Sequence, residues 1–217
     1  VLTSDSVLSR HAILAEESGG AGNDSPWLWI IDPIDGTPPF TNGLPEFGIS
    51  VGVLLHNSPY IGMIAMPAWH QVLCARRGRG VKLYSFHKRR RKQISLSANP
   101  AVPRLDTALI GYDLGYASRG QQLGGVVAKI ADKIGYPVSY GSCSTANFRL
   151  ALGQLGGYFC ANPTKFDVAA AAVIIPECGG VVTDMEGNPI DWSKPKVSYL
   201  AGRTPELHRA LLVAVQS

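Results

Sequence analysis

The segment WLWIIDPIDGT, residues 27–37, decides how this sequence is read, because it joins an apolar strand to a turn with two carboxylates. Trp27 to Ile31 is a short apolar run, which predicts a buried strand. Asp32 and Asp35 follow, with a rigid proline between them and a permissive glycine after them. Such a turn can point both carboxylates and the Ile34 carbonyl at one hard cation.

The end of the same segment predicts an anion site. Thr37 and Pro38 have the residue types of a helix N-cap and first helical residue. Backbone N–H groups near Gly36 and Thr37 would then face an anion such as a phosphate group. Two aspartates in a turn are also typical of a solvated turn or a helix cap, so the segment indicates a site only if it has partners elsewhere.

Two other segments supply such partners. Ile13 to Ala15 is an apolar run that ends in the paired carboxylates Glu16 and Glu17. Asp167 stands at the head of a predicted helix rich in small residues. Each segment is a weak signal alone, and an acidic site needs all three.

In this order, the three segments resemble the inositol monophosphatase superfamily of lithium-sensitive, magnesium-dependent phosphatases. The likeness runs from about Ile13 to the terminal helix. Its motifs are the glutamate pair Ala15–Ser18, the aspartate turn Trp29–Thr37 with Phe40 and Gly43–Pro45, and the segment Asp167–Ala170 followed by Glu177–Gly180.

The resemblance implies a metal site with two or three Mg²⁺ ions, and Glu17 as a supporting neighbour. The implied ligands are Glu16, Asp32, the Ile34 carbonyl, Asp35 and Asp167. It also implies direct hydrolysis by a metal-activated water, which Glu16 and the Thr37 hydroxyl orient and help deprotonate. The implied catalytic residues are therefore Glu16, Thr37 and Asp35.

The resemblance also assigns a set of substrate contacts: Asp35, Gly36, Thr37, Ser144, Thr145, Cys160 and Asp167. Two of these depart from the family pattern. Ser144 stands where a glycine is usual. Cys160 stands where inositol-selective relatives carry a glutamate that accepts hydrogen bonds from substrate hydroxyls, and a thiol is a poor substitute for it.

The substrate therefore stays open within one reaction class. We expect inositol-1-phosphate or a related sugar or polyol phosphate, ahead of fructose-1,6-bisphosphate, histidinol phosphate and 3′-phosphoadenosine-5′-phosphate. A hypothesis from another class is a non-catalytic phosphate- or polyanion-binding relative. Clustered carboxylates argue against it, because they repel one another without a cation.

The sequence predicts two halves in an α+β or α/β fold. Residues 1–103 form an antiparallel-sheet half with the glutamate pair and the aspartate turn, and residues 104–217 form an α/β half with Asp167. Within these halves the apolar spacing predicts a strand over residues 71–76 and helices over residues 121–134 and 166–175, and Thr204-Pro205 predicts a capped terminal helix. The boundary is the proline-containing stretch Asn99–Pro103. The resemblance implies a layered αβαβα sandwich whose N-terminal helix pair is shortened or missing, with Thr3–Asp5 as a remnant. An uncovered sheet face would then favour a homodimer.

Composition and charge exclude several other classes. With 46% hydrophobic and 17% charged residues the chain is of globular type. It has no apolar run of about 18 residues and no secretory start, so we expect a soluble, cytoplasmic protein without a membrane partner. The net charge of +4 is concentrated around Arg76–Arg79 and His87–Lys92. Because no aromatic platform accompanies the run His87–Lys92, we interpret this run as a solvated hairpin tip, and a nucleic-acid partner is disfavoured.

Overall fold

The computed structural model describes residues 8–17, 19–20, 24–87, 90–96, 104–114, 117–160 and 162–217. The predicted boundary Asn99–Pro103 and the N-terminal remnant Thr3–Asp5 lie outside the described residues. The fold is mixed α/β and has two sheets, as the sequence predicted. No helix among the described residues is both long and apolar enough to span a membrane.

The first sheet has seven strands in chain order, β1 to β7. All neighbours are antiparallel except β1 and β2, which are parallel, so the expected purely antiparallel sheet is mixed at one edge. The strands are β1 Ala12–Ala15, β2 Trp27–Asp35, β3 Gly48–Leu55, β4 Ser58–Met66, β5 Gln71–Arg76, β6 Val81–His87 and β7 Arg90–Leu96.

The second sheet has five strands in the order β11-β12-β10-β8-β9. β8, β9 and β10 are parallel, whereas β12 runs antiparallel to β10 and β11. The strands are β8 Leu109–Asp113, β9 Tyr136–Val138, β10 Gly157–Cys160, β11 Val181–Thr183 and β12 Tyr199–Gly202.

Six α-helices in the described part of the chain connect and cover these sheets: α1 Thr37–Thr41, α2 Ala117–Ile130, α3 Cys143–Ala151, α4 Lys165–Val168, α5 Ala171–Glu177 and α6 Pro205–Gln216. The single helix predicted over residues 166–175 is two short helices, α4 and α5. The helix predicted over residues 121–134 begins and ends four residues earlier. Thr204 caps α6 as predicted, because its hydroxyl accepts the Leu207 N–H.

Two apolar cores separate the layers. In the first, α3 to α5 pack between the sheets, and buried residues from both sheets and these helices meet there: Ile30, Leu54, Ile64, Phe148, Val173, Ile174, Tyr158 and Tyr199. In the second, α2 and α6 cover the other face of the five-stranded sheet, around Ile110, Phe159 and Leu211. The layers described are thus sheet, helices, sheet, helices.

Two glycines let the helical layer approach the first sheet closely. A Cβ at Gly52 would lie 2.5 Å from the Ala169 Cβ, and one at Gly62 would lie 2.3 Å from the Ala170 carbonyl oxygen. Only residues without a side chain fit these positions. These two contacts set the distance between the first sheet and α4, the helix that carries Asp167.

The basic turn between β5 and β6 is exposed, and a carboxylate from α5 holds its backbone. Arg76, Arg77 and Arg79 are exposed there. The Glu177 carboxylate accepts the N–H groups of three successive turn residues, residues 78–80, at 2.7 to 3.1 Å. The glutamate of the predicted C-terminal motif thus holds this turn. The run His87–Lys92 falls partly outside the described residues, and its side chains are not described.

Candidate metal centre

Parallel pairing of β1 and β2 brings two of the predicted carboxylates to one edge of the first sheet. Ala15 is in register with Ile31, and the Glu16 N–H donates to the Ile31 carbonyl oxygen at 3.1 Å. Because parallel strands end at the same edge, Glu16 lies beside Asp32. Glu16 is exposed, whereas Asp32 is only 1% exposed.

An irregularity in β2 turns the second aspartate to the same side. Residues three apart on a regular strand point to opposite faces. Here the pairing of β2 with β3 shifts register between Asp32 and Asp35, as in a β-bulge, and both side chains are buried. The Asp32 carboxylate accepts the Ile34 N–H at 2.9 Å, which holds the turn.

The residues after the bulge form the start of α1. Gly36, with a φ of 88°, is the N-cap, so the prediction that Thr37 is the N-cap is wrong by one residue. A Cβ at Gly36 would lie 2.7 Å from the Ser142 Cβ, so the site requires glycine. The Thr37 hydroxyl instead donates to the Ile34 carbonyl oxygen at 3.3 Å.

Asp167 reaches the cluster from the helical layer. Its Oδ2 accepts both the N–H and the hydroxyl of Thr164, at 2.6 and 2.9 Å, in a capping box at the start of α4. The Ser50 hydroxyl on β3 donates to the Phe166 carbonyl oxygen at 3.0 Å and ties α4 to the sheet. As a result, Asp32, Asp35 and Asp167 each offer one oxygen within 4.8 Å of the others.

Burial and mutual repulsion change the acidity of this triad. Burial, together with the negative charges of Asp35 and Glu16, raises the pKa of Asp32 to about 8. Burial and the charge of Asp35 raise the pKa of Asp167 to about 7. Burial raises the pKa of Asp35 to about 6, against hydrogen bonds from Ser142 and Ser144 that lower it. The three carboxylates therefore resist simultaneous ionisation unless a cation joins them.

The start of α3 orients Asp35. Its Oδ2 accepts the Ser142 hydroxyl and the Ser144 N–H, both at 2.5 Å. The Ser142 oxygen also caps α3 by accepting the Thr145 N–H at 3.1 Å. Charge-assisted hydrogen bonds of this kind fix the direction in which a carboxylate presents its other oxygen.

These groups line a cleft of about 440 Å³ at the strand ends. Most of the predicted site residues line it: Glu16, Asp32, Ile34, Asp35, Gly36, Thr37, Cys160 and Asp167. Ser144 and Thr145 do not, because their side chains are fully buried in α3, and the wall there is formed by Ser142 and Cys143. Glu17 is exposed and outside this lining.

Several cleft residues were not predicted. Thr164 and Asn162 precede or border a helix start, a pattern too common in proteins to single them out, whereas Ser142 belongs to the loop Gly141–Ala146, which the resemblance implies as a substrate-contacting segment. Asp113 had a usable signal, because it follows the apolar run of β8 as Asp32 follows that of β2. A carboxylate at the end of a buried strand is the pattern that both share.

The donor set fits a hard divalent cation. Carboxylate oxygens within reach of one another, with the Ile34 carbonyl beside them on the cleft, are the ligands that Mg²⁺ prefers. Glu16 lines the same cleft but lies outside the group of three oxygens within 4.8 Å. The triad can thus bind a metal ion, and Glu16, at the rim of the cleft, would be a further ligand.

Two packed sheets with helices between them and an acidic cluster at one edge place the chain among α/β proteins with a candidate site for a divalent cation. The chain belongs to the Inositol monophosphatase family, whose family model matches residues 3–217. This is a family of metal-dependent phosphatases, as the sequence motifs indicated.

Individual relatives agree with this family. The inositol-1-monophosphatase of Synechocystis sp. is 31% identical over 211 residues, which cover 95% of this chain and 70% of the relative. The Nus factor SuhB of Pasteurella multocida is 28% identical and matches 95% of this chain and 74% of its own. The solved inositol monophosphatase of Anabaena (Nostoc) sp. PCC 7120 is 26% identical, with a TM-score of 0.83 over 96% of this chain and 79% of that one.

Proposed function

We propose that this chain hydrolyses a small phosphate monoester, with inositol-1-phosphate or a related sugar or polyol phosphate as substrate and Mg²⁺ as cofactor. The observation that carries the proposal is the triad of the buried Asp32 and Asp35 and the half-buried Asp167, whose oxygens lie within 4.8 Å and whose pKa values are raised. Such a cluster is costly without a cation and is stabilised by one.

The residues that would hold Mg²⁺ are Glu16, Asp32, the Ile34 carbonyl, Asp35 and Asp167. When bound, Mg²⁺ supplies an activated water and neutralises charge on the phosphoryl group. The family membership and the hard-oxygen donor set support this assignment.

The chain's own groups have separate tasks in this proposal. Glu16, exposed at the rim, accepts a proton from the attacking water, and the Thr37 hydroxyl orients that water from its position against the Ile34 carbonyl. Backbone N–H groups of Gly36 and Thr37 hold the phosphate. Ser144 acts through its N–H on Asp35 rather than through its side chain. Thr145 acts through its N–H on Ser142 in the same way.

The relatives favour this function and also one alternative. A relative named inositol-1-monophosphatase supports the choice of a polyol phosphate. The name Nus factor SuhB of another relative favours a second candidate, a non-catalytic role in which the cleft only binds a phosphate group. The two candidates differ in whether binding requires Mg²⁺ and leads to turnover.

Purified chain incubated with Mg²⁺ and a panel of phosphate monoesters tests the proposal. We expect phosphate release that EDTA abolishes, and its loss in Asp35→Asn. Asp132→Asn is the matched control, because Asp132 is exposed in the turn after α2. Turnover that survives Asp35→Asn would contradict the proposal. Calorimetry that found tight, Mg²⁺-independent binding of the esters without turnover would support the second candidate.

A further inference from the structure

One carboxylate in the cleft has no task in the proposed reaction. Asp113 ends β8 and is in parallel register with Cys160 at the end of β10. Side chains in register on neighbouring strands point to the same face. Cys160 is buried, belongs to the core between the sheets and lines the cleft, so Asp113 faces the cleft as well.

The preceding pair of residues confirms this orientation. Tyr112 and Phe159 are also in register, and their rings stack at 6.3 Å in the core on the opposite face of the sheet. Because side chains alternate along a strand, the next residues, Asp113 and Cys160, must point toward the acidic cleft.

Asp113 is close to the metal centre but separate from it. The group of oxygens within 4.8 Å contains Asp32, Asp35 and Asp167 and not Asp113. Its charge is nevertheless felt at Asp35, where it raises the pKa. Because Asp113 and the triad line the same cleft, a substrate whose phosphate lies at the triad can place its organic part toward Asp113.

The described wall around Asp113 includes polar side chains and no basic residue. Asn162 and Ser139 line the cleft with it and add an amide and a hydroxyl. No lysine or arginine is found among the described residues of the cleft lining. A carboxylate accepts hydrogen bonds strongly from hydroxyl groups, whereas a second phosphate here would meet a like charge and no counter-charge.

We propose that Asp113 is a specificity-determining residue, which accepts hydrogen bonds from hydroxyls on the organic part of the ester and disfavours substrates with a second phosphate. This rests on the proposed function. Asp113 thereby supplies, from the neighbouring strand, an acceptor that the thiol of Cys160 cannot provide.

Steady-state kinetics of the full chain and of Asp113→Asn test this with four esters: inositol-1-phosphate, cyclohexyl phosphate, p-nitrophenyl phosphate and fructose-1,6-bisphosphate. We expect the wild type to prefer inositol-1-phosphate over cyclohexyl phosphate, the same ring without hydroxyls, by about tenfold in kcat/KM. In Asp113→Asn this ratio falls toward one, chiefly through KM. The kcat/KM for the bisphosphate rises relative to that for p-nitrophenyl phosphate.

The matched control is Asp132→Asn, which removes an exposed carboxylate outside the cleft and should keep the wild-type ratios. An equal loss for all four esters in Asp113→Asn would overturn the inference, and so would a wild type that does not distinguish the two ring esters. The wild-type comparison can overturn the inference even if the variant does not fold. Absence of hydrolysis of every ester by the wild type would instead refute the proposed function.

Discussion

The carboxylate of Asp167 supports cation binding but destabilises the folded chain when no cation is bound. It completes the cation site, yet without a cation it is a buried charge beside Asp32 and Asp35. We therefore predict that Asp167→Asn lowers kcat/KM roughly a thousandfold, equivalent to about 4 kcal/mol of barrier. The same variant should be more stable than the wild type in EDTA at pH 8, because one repelling charge is gone.

Phosphate-release assays and urea unfolding in EDTA and in Mg²⁺ check both parts. Asp132→Asn, again outside the cleft, should match the wild type in each measurement. If Asp167→Asn were less stable than the wild type in EDTA at pH 8, the repulsion argument would fail.

The Thr145 hydroxyl is a buried polar group without a hydrogen bond in the described part of the chain. Its Oγ1 is fully buried in α3. A buried hydroxyl without a partner retains its desolvation cost, so Thr145→Val, which keeps the shape, should raise the free energy of unfolding by about 1 kcal/mol.

Urea denaturation measures this change, and Thr183→Val is the matched control. The Thr183 hydroxyl donates to the Asp184 carbonyl oxygen at 2.7 Å and lies 2.9 Å from His208 Nε2, so its removal should destabilise the chain by about 1 kcal/mol. Equal losses in the two variants would show that Thr145 has a partner.

Sequence reasoning succeeded at residues with a strong local pattern. Asp32 and Asp35 flank a proline after an apolar run, and this pattern located the acidic end of β2, although the strand extends to Asp35 and does not end at Ile31 as predicted. It could not show the bulge that turns both side chains to one face, because the pairing with β3 creates it. Nor could it show that Ser142 orients Asp35, a contact across 107 residues of chain.

At the scale of elements, the contact between β3 and α4 links packing to the cation site. Gly52 has no room for a Cβ, which would lie 2.5 Å from that of Ala169, two residues after Asp167. Gly52→Ala must push α4 away from the sheet. We predict a loss of about 1–3 kcal/mol of stability and weaker Mg²⁺ binding, because Asp167 moves with the helix.

Thermal unfolding and calorimetric titration with Mg²⁺ check this prediction. Gly124→Ala is the control, because a Cβ at this helical position in α2 meets open space and alanine is the better helix former, worth about 1 kcal/mol. Undiminished Mg²⁺ affinity in Gly52→Ala would mean that α4 is not held by this contact.

Elements with a clear period and clear ends were predictable, whereas short buried ones were not. Gln71–Arg76 matches its predicted strand, and the terminal helix follows its Thr-Pro start. β10 and β12 were missed because each has four residues, all buried, and so shows no alternation. The break between α4 and α5 was missed because the small residues there are all compatible with one helix.

At the scale of the whole molecule, the site exists only because three layers meet. The first sheet supplies Glu16, Asp32 and Asp35, the helical layer supplies Asp167 and Ser142, and the second sheet supplies Asp113. The outer face of the first sheet carries half-buried apolar residues: Trp29, Val51, Ile61 and Met63. The predicted homodimer stays a prediction that light scattering can test.

Joining the layers also couples the stability of the molecule to pH. In the folded, metal-free chain Asp32, Asp35 and Asp167 hold protons up to about pH 8, 6 and 7. In the unfolded chain aspartates release them near pH 4. Between these values the folded state binds more protons than the unfolded state, so the free energy of unfolding falls as pH rises. Bound Mg²⁺ requires the ionised carboxylates and should bind more tightly as pH rises.

We therefore predict that the melting temperature in EDTA falls between pH 5.5 and pH 8, while the stabilisation by Mg²⁺ grows over the same range. Scanning calorimetry measures both, and titrations in two buffers of different ionisation enthalpy should detect proton release on Mg²⁺ binding. In Asp167→Asn one of the protons is missing, so both pH dependences should be shallower. A Mg²⁺ stabilisation equal at pH 5.5 and pH 8 would show that the triad is already ionised without metal, and that burial does not control its charge.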